Sequence, residues 1–197
     1  LSLLEFIGFI MMYKNIEKHY DSFKETRIKE RAFSYVLWLQ LIDEWKKSPL
    51  LDVSEIGLTY EGKPIHQVKF GVGPIHICAW SQMHGDESTA TMALMDFLNF
   101  VETEDEFTEL KAEIFKKITL YIIPMLNPDG ADRFRRRNEM DIDIDRDAMR
   151  LQFPESKILK RIQEETKPKF AFNLHDQSTR YTAGNSYKVA TISFLAP

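Results

Sequence analysis

The chain has 197 residues, 44% of them hydrophobic and 28% charged, with a net charge of -4 and an isoelectric point near 5.8. These values describe one ordinary soluble domain that can bury a sizeable core unaided, and they leave no electrostatic footprint for DNA, RNA or an anionic membrane. The single cysteine, Cys78, lies in an apolar run, which excludes a disulfide framework. It points to a reducing, cytoplasmic location with Cys78 as a buried, inert thiol.

Leu1–Met12 is apolar but carries Glu5, has no basic flank and is too short to span a bilayer, so it reads as neither signal nor anchor. From Lys14 to Phe23 and from Glu30 to Lys47, apolar residues recur at three-and-four spacing, which predicts two amphipathic helices, the second stopped by Ser48-Pro49. Gly57–Tyr60, Ile65–Phe70 and Ile75–Trp80 read as short strands joined by hairpin turns at Glu61-Gly62 and Gly71–Pro74. A helix is predicted over Ser88–Val101, followed by an acidic loop, Glu102–Glu106. Ile118–Leu126 is a continuous apolar run typical of a strand buried on both faces, and Asn127-Pro128-Asp129-Gly130 reads as a turn. A helix over Pro154–Thr166 and a strand over Lys169–Leu174 complete the pattern, with a final strand expected over Ala190–Leu195.

Strands alternating with helices after an opening hairpin predict an α/β domain, a three-layer α/β/α arrangement with a mixed parallel and antiparallel sheet. Residues 1–50 are read as a helical extension packed on a domain of residues 51–197. Ligands of such sheets collect beyond the carboxyl ends of the strands. His84 and Glu87 follow the end of the strand Ile75–Trp80, and His175 ends the strand Lys169–Leu174. Two imidazoles and a carboxylate are a donor set suited to one divalent metal ion with a position left open. Taken alone, His84-x-x-Glu87 also reads as a surface histidine beside a capping carboxylate, and His175 as a hydrogen-bonded structural histidine.

The surrounding motifs narrow that choice. His84-Gly85-Asp86-Glu87, Asn127-Pro128-Asp129-Gly130, Arg136-x-Asn138, Asp143-x-Asp145-Arg146 and Asn173-Leu174-His175 follow one another in the order found in zinc carboxypeptidases, which the sequence resembles from about Gly57 onward. The resemblance implies a carboxypeptidase-like fold and one zinc ion held by His84, Glu87 and His175, a ligand set that general knowledge of zinc enzymes already assigns to this family. It also implies that Asp143 accepts a hydrogen bond from His84, that Arg136 polarises the scissile carbonyl, and that Arg146 binds a terminal carboxylate beside Asp145. Arg135 and Arg137 adjoin Arg136, so the neighbouring registers stay open. Most of the run Arg133–Arg137 is read as a solvated basic loop.

Asp145 stands where the pattern has asparagine, and an ionised carboxylate there is expected to repel a substrate carboxylate and to pair with Arg146. The family's general-base glutamate falls several tens of residues beyond the third ligand. Hence the chain reads as the N-terminal part of a catalytic domain whose C-terminal strands are missing, inactive alone. Glu155, Glu164 and Glu165 read as solvated helix carboxylates. The expected activity is zinc-dependent hydrolysis of a peptide or small amide. A zinc-dependent N-acyl amino acid deacylase and a catalytically inactive binding module are the alternatives, with no nucleic-acid or membrane partner.

Overall fold

The computed structural model describes residues 12–176. The strand expected over Ala190–Leu195 lies outside them, as does most of Leu1–Met12. A helical segment over 12–18 and α1 (Tyr20–Phe23) stand where one helix is predicted, broken at His19. The next predicted helix begins only at α2 (Tyr35–Trp45), because Ser34 is extended and its Oγ accepts from the Leu37 amide at 3.2 Å. Residues 24–34 have no regular structure.

β1 (Asp52–Leu58) and β2 (Pro64–Phe70) form the expected antiparallel hairpin, although β1 starts five residues earlier than its sequence pattern indicates. Its turn is closed by Thr59 and Lys63 at 2.8 Å. The second predicted hairpin does not form. β3 (Ile75–Ser81) is separated from β2 by β4 (Ile118–Ile123), antiparallel to β2 and parallel to β3, and β5 (Phe170–Leu174) adds parallel to the far side of β3. Gly71–Pro74 is a crossing over the entrance to β4, and its glycines serve close approach. A Cβ on Gly73 would stand 1.9 Å from the Lys117 carbonyl carbon. Among the described strands, the order β1-β2-β4-β3-β5 places β4 in the middle, in keeping with Ile122 and Ile123 being buried.

The sheet carries helices on both faces, as predicted. Val68, Phe70 and Ile122 pack with Trp38, Leu41, Ile42 and Trp45 of α2 and with Met95, Leu98 and Val101 of α3 (Thr89–Glu102). Ile65, Cys78, Trp80 and Ile123 pack on the other face with Ile158, Leu159 and Ile162 of α7 (Pro154–Thr166). Each fully buried aliphatic or aromatic side chain contributes about 1.5–3 kcal/mol to this assembly. Cys78 is buried and unpaired, and burial pushes its thiol up to about 11.

Three short helices depart from the reading of the sequence. α4 (Thr108–Phe115) follows the acidic loop, and the strand expected over the apolar run Ile118–Leu126 ends at Ile123, with Asn127 then capping α5 (Pro128–Asp132) by accepting from the Gly130 amide at 2.9 Å. α6 (Ile144–Asp147) starts from Asp143, whose side chain accepts from the Asp145 amide at 3.1 Å. No helix among the described residues is long and apolar enough to cross a membrane.

Glu164 and Glu165 are exposed, but Glu155 is fully buried, and neither of its carboxyl oxygens has a hydrogen-bond partner. The carboxylate of Asp147 accepts from the amides of Gln152 and Phe153, at 3.1 and 2.9 Å, and from the Ser156 hydroxyl, which draws the start of α7 inward and takes Glu155 with it. Burial pushes the Glu155 carboxyl up from 4.5 to about 7, and the charges of Asp129 and Asp147 add to this.

Below pH 4.5 Glu155 is neutral in both states; between 4.5 and about 7 only the unfolded chain ionises, so this residue makes stability fall as pH rises. Glu155→Gln is therefore expected to raise stability above pH 7 by up to about 3 kcal/mol and to converge on wild type in acid. Thermal unfolding across pH checks this, and a gain that does not change with pH would exclude it.

Candidate metal centre

β3 delivers the chain to residues 82–88, and four polar contacts shape this loop. Gln82 takes a left-handed backbone conformation (φ 49°), donates to the Gly85 carbonyl at 2.8 Å and accepts from the Thr91 hydroxyl at 2.9 Å. The Asn127 side chain donates to the Met83 carbonyl at 3.2 Å. The Gly85 amide donates to the Arg136 carbonyl at 3.2 Å. Residue 85 lies flush on α5, where an added Cβ would stand 2.0 Å from the Gly130 carbonyl carbon. Asn127–Gly130, read from sequence as a turn, is thus the seat of the loop. Buried Asp129 anchors that seat to the β1–β2 turn by accepting from the Thr59 hydroxyl at 2.9 Å and the Glu61 amide at 3.2 Å.

The structure brings together all three residues that the sequence pattern proposes as ligands. His84, Glu87 and His175 each offer a donor atom, and these atoms lie within 4.8 Å of one another. Glu87 Oε1 lies 2.9 Å from His84 Nδ1 and Oε2 lies 2.7 Å from His175 Nδ1. The two imidazole centroids are 4.8 Å apart. The cluster grades from buried His84 to His175, whose side chain is 33% exposed, so one flank is open to solvent.

Asp143 accepts from His84 Nε2 at 3.2 Å. That bond assigns the imidazole proton to Nε2 and turns the Nδ1 lone pair toward Glu87. A neutral imidazole has one N–H and cannot donate to both carboxylates, so the Nδ1 side calls for a second positive charge. Without a metal, protonation supplies it. Burial opposes the charged His84 ring, but the Glu87 hydrogen bond and charge outweigh it and hold the pKa above the ordinary range. Burial likewise opposes the charged form of Glu87, and bonds from His175 and His84 outweigh it, holding its carboxyl well below the usual range. In Asp143, burial is outweighed by His84 and Arg136. Two imidazoles and a carboxylate, with one ring fixed by an outer carboxylate, are donors that fit a zinc ion.

The arginine run is fully paired. Arg133 grips Glu61 through two nitrogens at 2.6 and 2.7 Å, Arg135 meets Glu139 at 2.9 Å, and Arg137 meets Asp141 at 2.9 Å. Arg136 is the member that reaches the cluster, with Nε 3.1 Å from Asp143 and Nη1 3.1 Å from Glu87. Asp145 is half-buried on α6 and Arg146 is exposed, and no ion pair joins them, contrary to the pairing expected from their sequence. The helical turn that gives the Asp145 amide to Asp143 fixes the backbone without bringing the two side chains together.

Arg31, Gly85 and Asp176 also touch this centre, although the sequence pattern names none of them as site residues. Asp176 adjoins His175 and is findable by position. Arg31 belongs to no motif.

A family profile described as zinc carboxypeptidase matches residues 37–173. Carboxypeptidase SOL1 of Arabidopsis thaliana is 30% identical over 118 residues, 57% of this chain and 24% of that protein. Carboxypeptidase 2 of Trichophyton tonsurans is 22% identical over 147 residues, 74% of this chain and 24% of that protein. The crystal structure of a metallo-carboxypeptidase from Burkholderia cenocepacia superposes with a TM-score of 0.67 at 18% identity, covering 74% of this chain and 41% of that one, a likeness of fold. The chain thus spans about a quarter of the length of these curated relatives. With well over half of its residues matched by the family profile, the chain belongs to the zinc carboxypeptidase family.

Proposed function

We propose that the protein holds one zinc ion through His84, Glu87 and His175, and that this centre serves peptide hydrolysis of the carboxypeptidase type. The observation that carries the reading is the convergence of the His84 and His175 imidazoles on the Glu87 carboxylate, with Arg136 bound to the same carboxylate. When bound, zinc supplies Lewis acidity at the scissile carbonyl. Asp143 holds the His84 proton on Nε2 and leaves Nδ1 as the donor atom. The Arg136 guanidinium, 46% exposed and braced by Asp143 and Glu87, donates to the carbonyl oxygen as negative charge develops there. The exposed Arg146 is available to a substrate carboxylate as a planar two-nitrogen fork. Asp145, which precedes it on α6, favours a cationic or amide-bearing group over a free α-carboxylate.

Zinc content is expected at one ion per chain. His84→Ala and His175→Ala should bring it close to zero, whereas Asp143→Asn should keep the site but weaken affinity about 10- to 100-fold. Unchanged zinc uptake by His84→Ala would remove the metal reading. Gly85→Ala should abolish tight binding without touching a donor, because the new Cβ lifts the ligand loop off α5; a variant that binds normally would show that the loop can relax.

Activity is tested in a form of the protein that includes the general-base glutamate expected beyond the third ligand, by release of C-terminal residues from peptides, with N-acyl amino acids as the competing substrate class. Arg136→Ala should lower kcat by about 100- to 1,000-fold at unchanged zinc content. Asp145→Asn should shift preference from amidated toward free-acid peptides. Equal cleavage of both by wild type and Asp145→Asn excludes the specificity role, and faster turnover of N-acyl amino acids favours a deacylase.

A further inference from the structure

The proposed donors arrive on two segments, residues 82–88 and the end of β5, and Glu87 and His175 lie 88 residues apart in sequence. Arg31 lies in the irregular stretch 24–34, between α1 and α2. Its Nη2 donates to the Asp86 carbonyl at 2.8 Å, between two ligands, and also to the Asp176 carboxylate, next to the third. Its own carbonyl accepts from the Ser88 hydroxyl at 2.7 Å. Its guanidinium carbon lies 5.9 Å from the centroid of the Phe134 ring, at the start of the loop that carries Arg136. One side chain thus meets both donor segments and the loop that carries Arg136.

Asp176 is the receiving group. Its carboxylate accepts from the Thr89 amide at 3.1 Å and the Thr89 hydroxyl at 3.0 Å, so it also holds the first residue of α3, two positions after Glu87. Its own amide donates to Glu87 Oε2 at 3.3 Å. Its side chain is 12% exposed, against 53% for Arg31. Neither residue lies within the 37–173 stretch that the family profile matches.

We propose that Arg31 and Asp176 are positioning residues of the metal centre, forming a latch that sets the separation between the His84–Glu87 loop and His175. This rests on the zinc reading above. An ion pair with a half-exposed arginine adds little to folding stability. Its effect is on the alignment of donors, where loss of an outer contact lowers metal affinity while the fold survives. A single nitrogen, Nη2, makes both Arg31 hydrogen bonds, so a lysine ammonium can reproduce them.

The test measures zinc affinity by chelator competition, the visible spectrum of the Co2+ form and the thermal midpoint of the metal-free state, using the intact chain. Arg27→Ala is the control, since Arg27 pairs with Glu25 and Glu44 in the same extension. Arg31→Ala and Asp176→Ala should weaken zinc binding about 10-fold and alter the Co2+ spectrum. Arg31→Lys should recover most of the loss, and Arg27→Ala should stay near wild type in affinity. Metal-free midpoints of Arg31→Ala and Arg27→Ala should be similar. An Arg31→Ala affinity equal to wild type, a loss matched by Arg27→Ala, or no recovery in Arg31→Lys overturns the latch. A wild type that takes up neither Zn2+ nor Co2+ overturns the zinc reading, and the latch with it.

Discussion

The arrangement of the centre depends on one carboxylate shared between two imidazoles. Glu87 presents one oxygen to His84 and the other to His175, and its own backbone is fixed where the ligand loop meets the first turn of α3. For both contacts to form, β3 and β5 must be neighbours in the sheet and parallel, so that their carboxyl ends open on the same side. The register Ser81↔Leu174 meets that need, and the proposed donors His84 and His175 follow the strand ends by three residues and by one.

A second constraint is the depth at which the loop sits. Glycine at 85 lets two backbones approach closely, and Asn127 and Arg136 hold the loop in place by hydrogen bonds at either side. The segment after α5 then returns with Arg136 and Asp143 to touch Glu87 and His84. The motifs that are scattered along the sequence are therefore one packed unit, in which residues that never meet a substrate set the positions of those proposed to.

Much of this was legible beforehand, for reasons that differ by element. The α2, α3 and α7 helices announce themselves because each buries one stripe against a single layer, which imprints a helical period. The sheet order did not, since Gly71–Pro74 has the composition of a hairpin turn and only a strand 40 to 50 residues later reveals that it must cross over. α4 was missed because its acidic surroundings conceal a weak apolar face, and α6 because four residues are too few to show a period. His84, Glu87, Asp143 and His175 came from motif order, a signal that ignores tertiary structure yet reports on it. Glu155 looked like any helix-start carboxylate, and its burial follows from Asp147 drawing the α7 terminus inward. Arg31 had no local signature, because its contacts are to a backbone carbonyl and to residues far along the chain.

The insertion of β4 between β2 and β3 bears on how the molecule is made. β3 has no neighbour supplied by the preceding chain, and it waits for β4 on one side and for β5 on the other. Pairings of such long range close large loops before any contact rewards them, which slows folding and leaves β3 exposed in the interim. As the chain emerges from a ribosome, α2 and the β1–β2 hairpin can assemble early, whereas His175 joins only when β5 docks at the sheet edge. A nascent chain would carry the loop of His84 and Glu87 for some time before it acquired the third proposed donor, so capture of an ion by all three would have to follow the docking of β5.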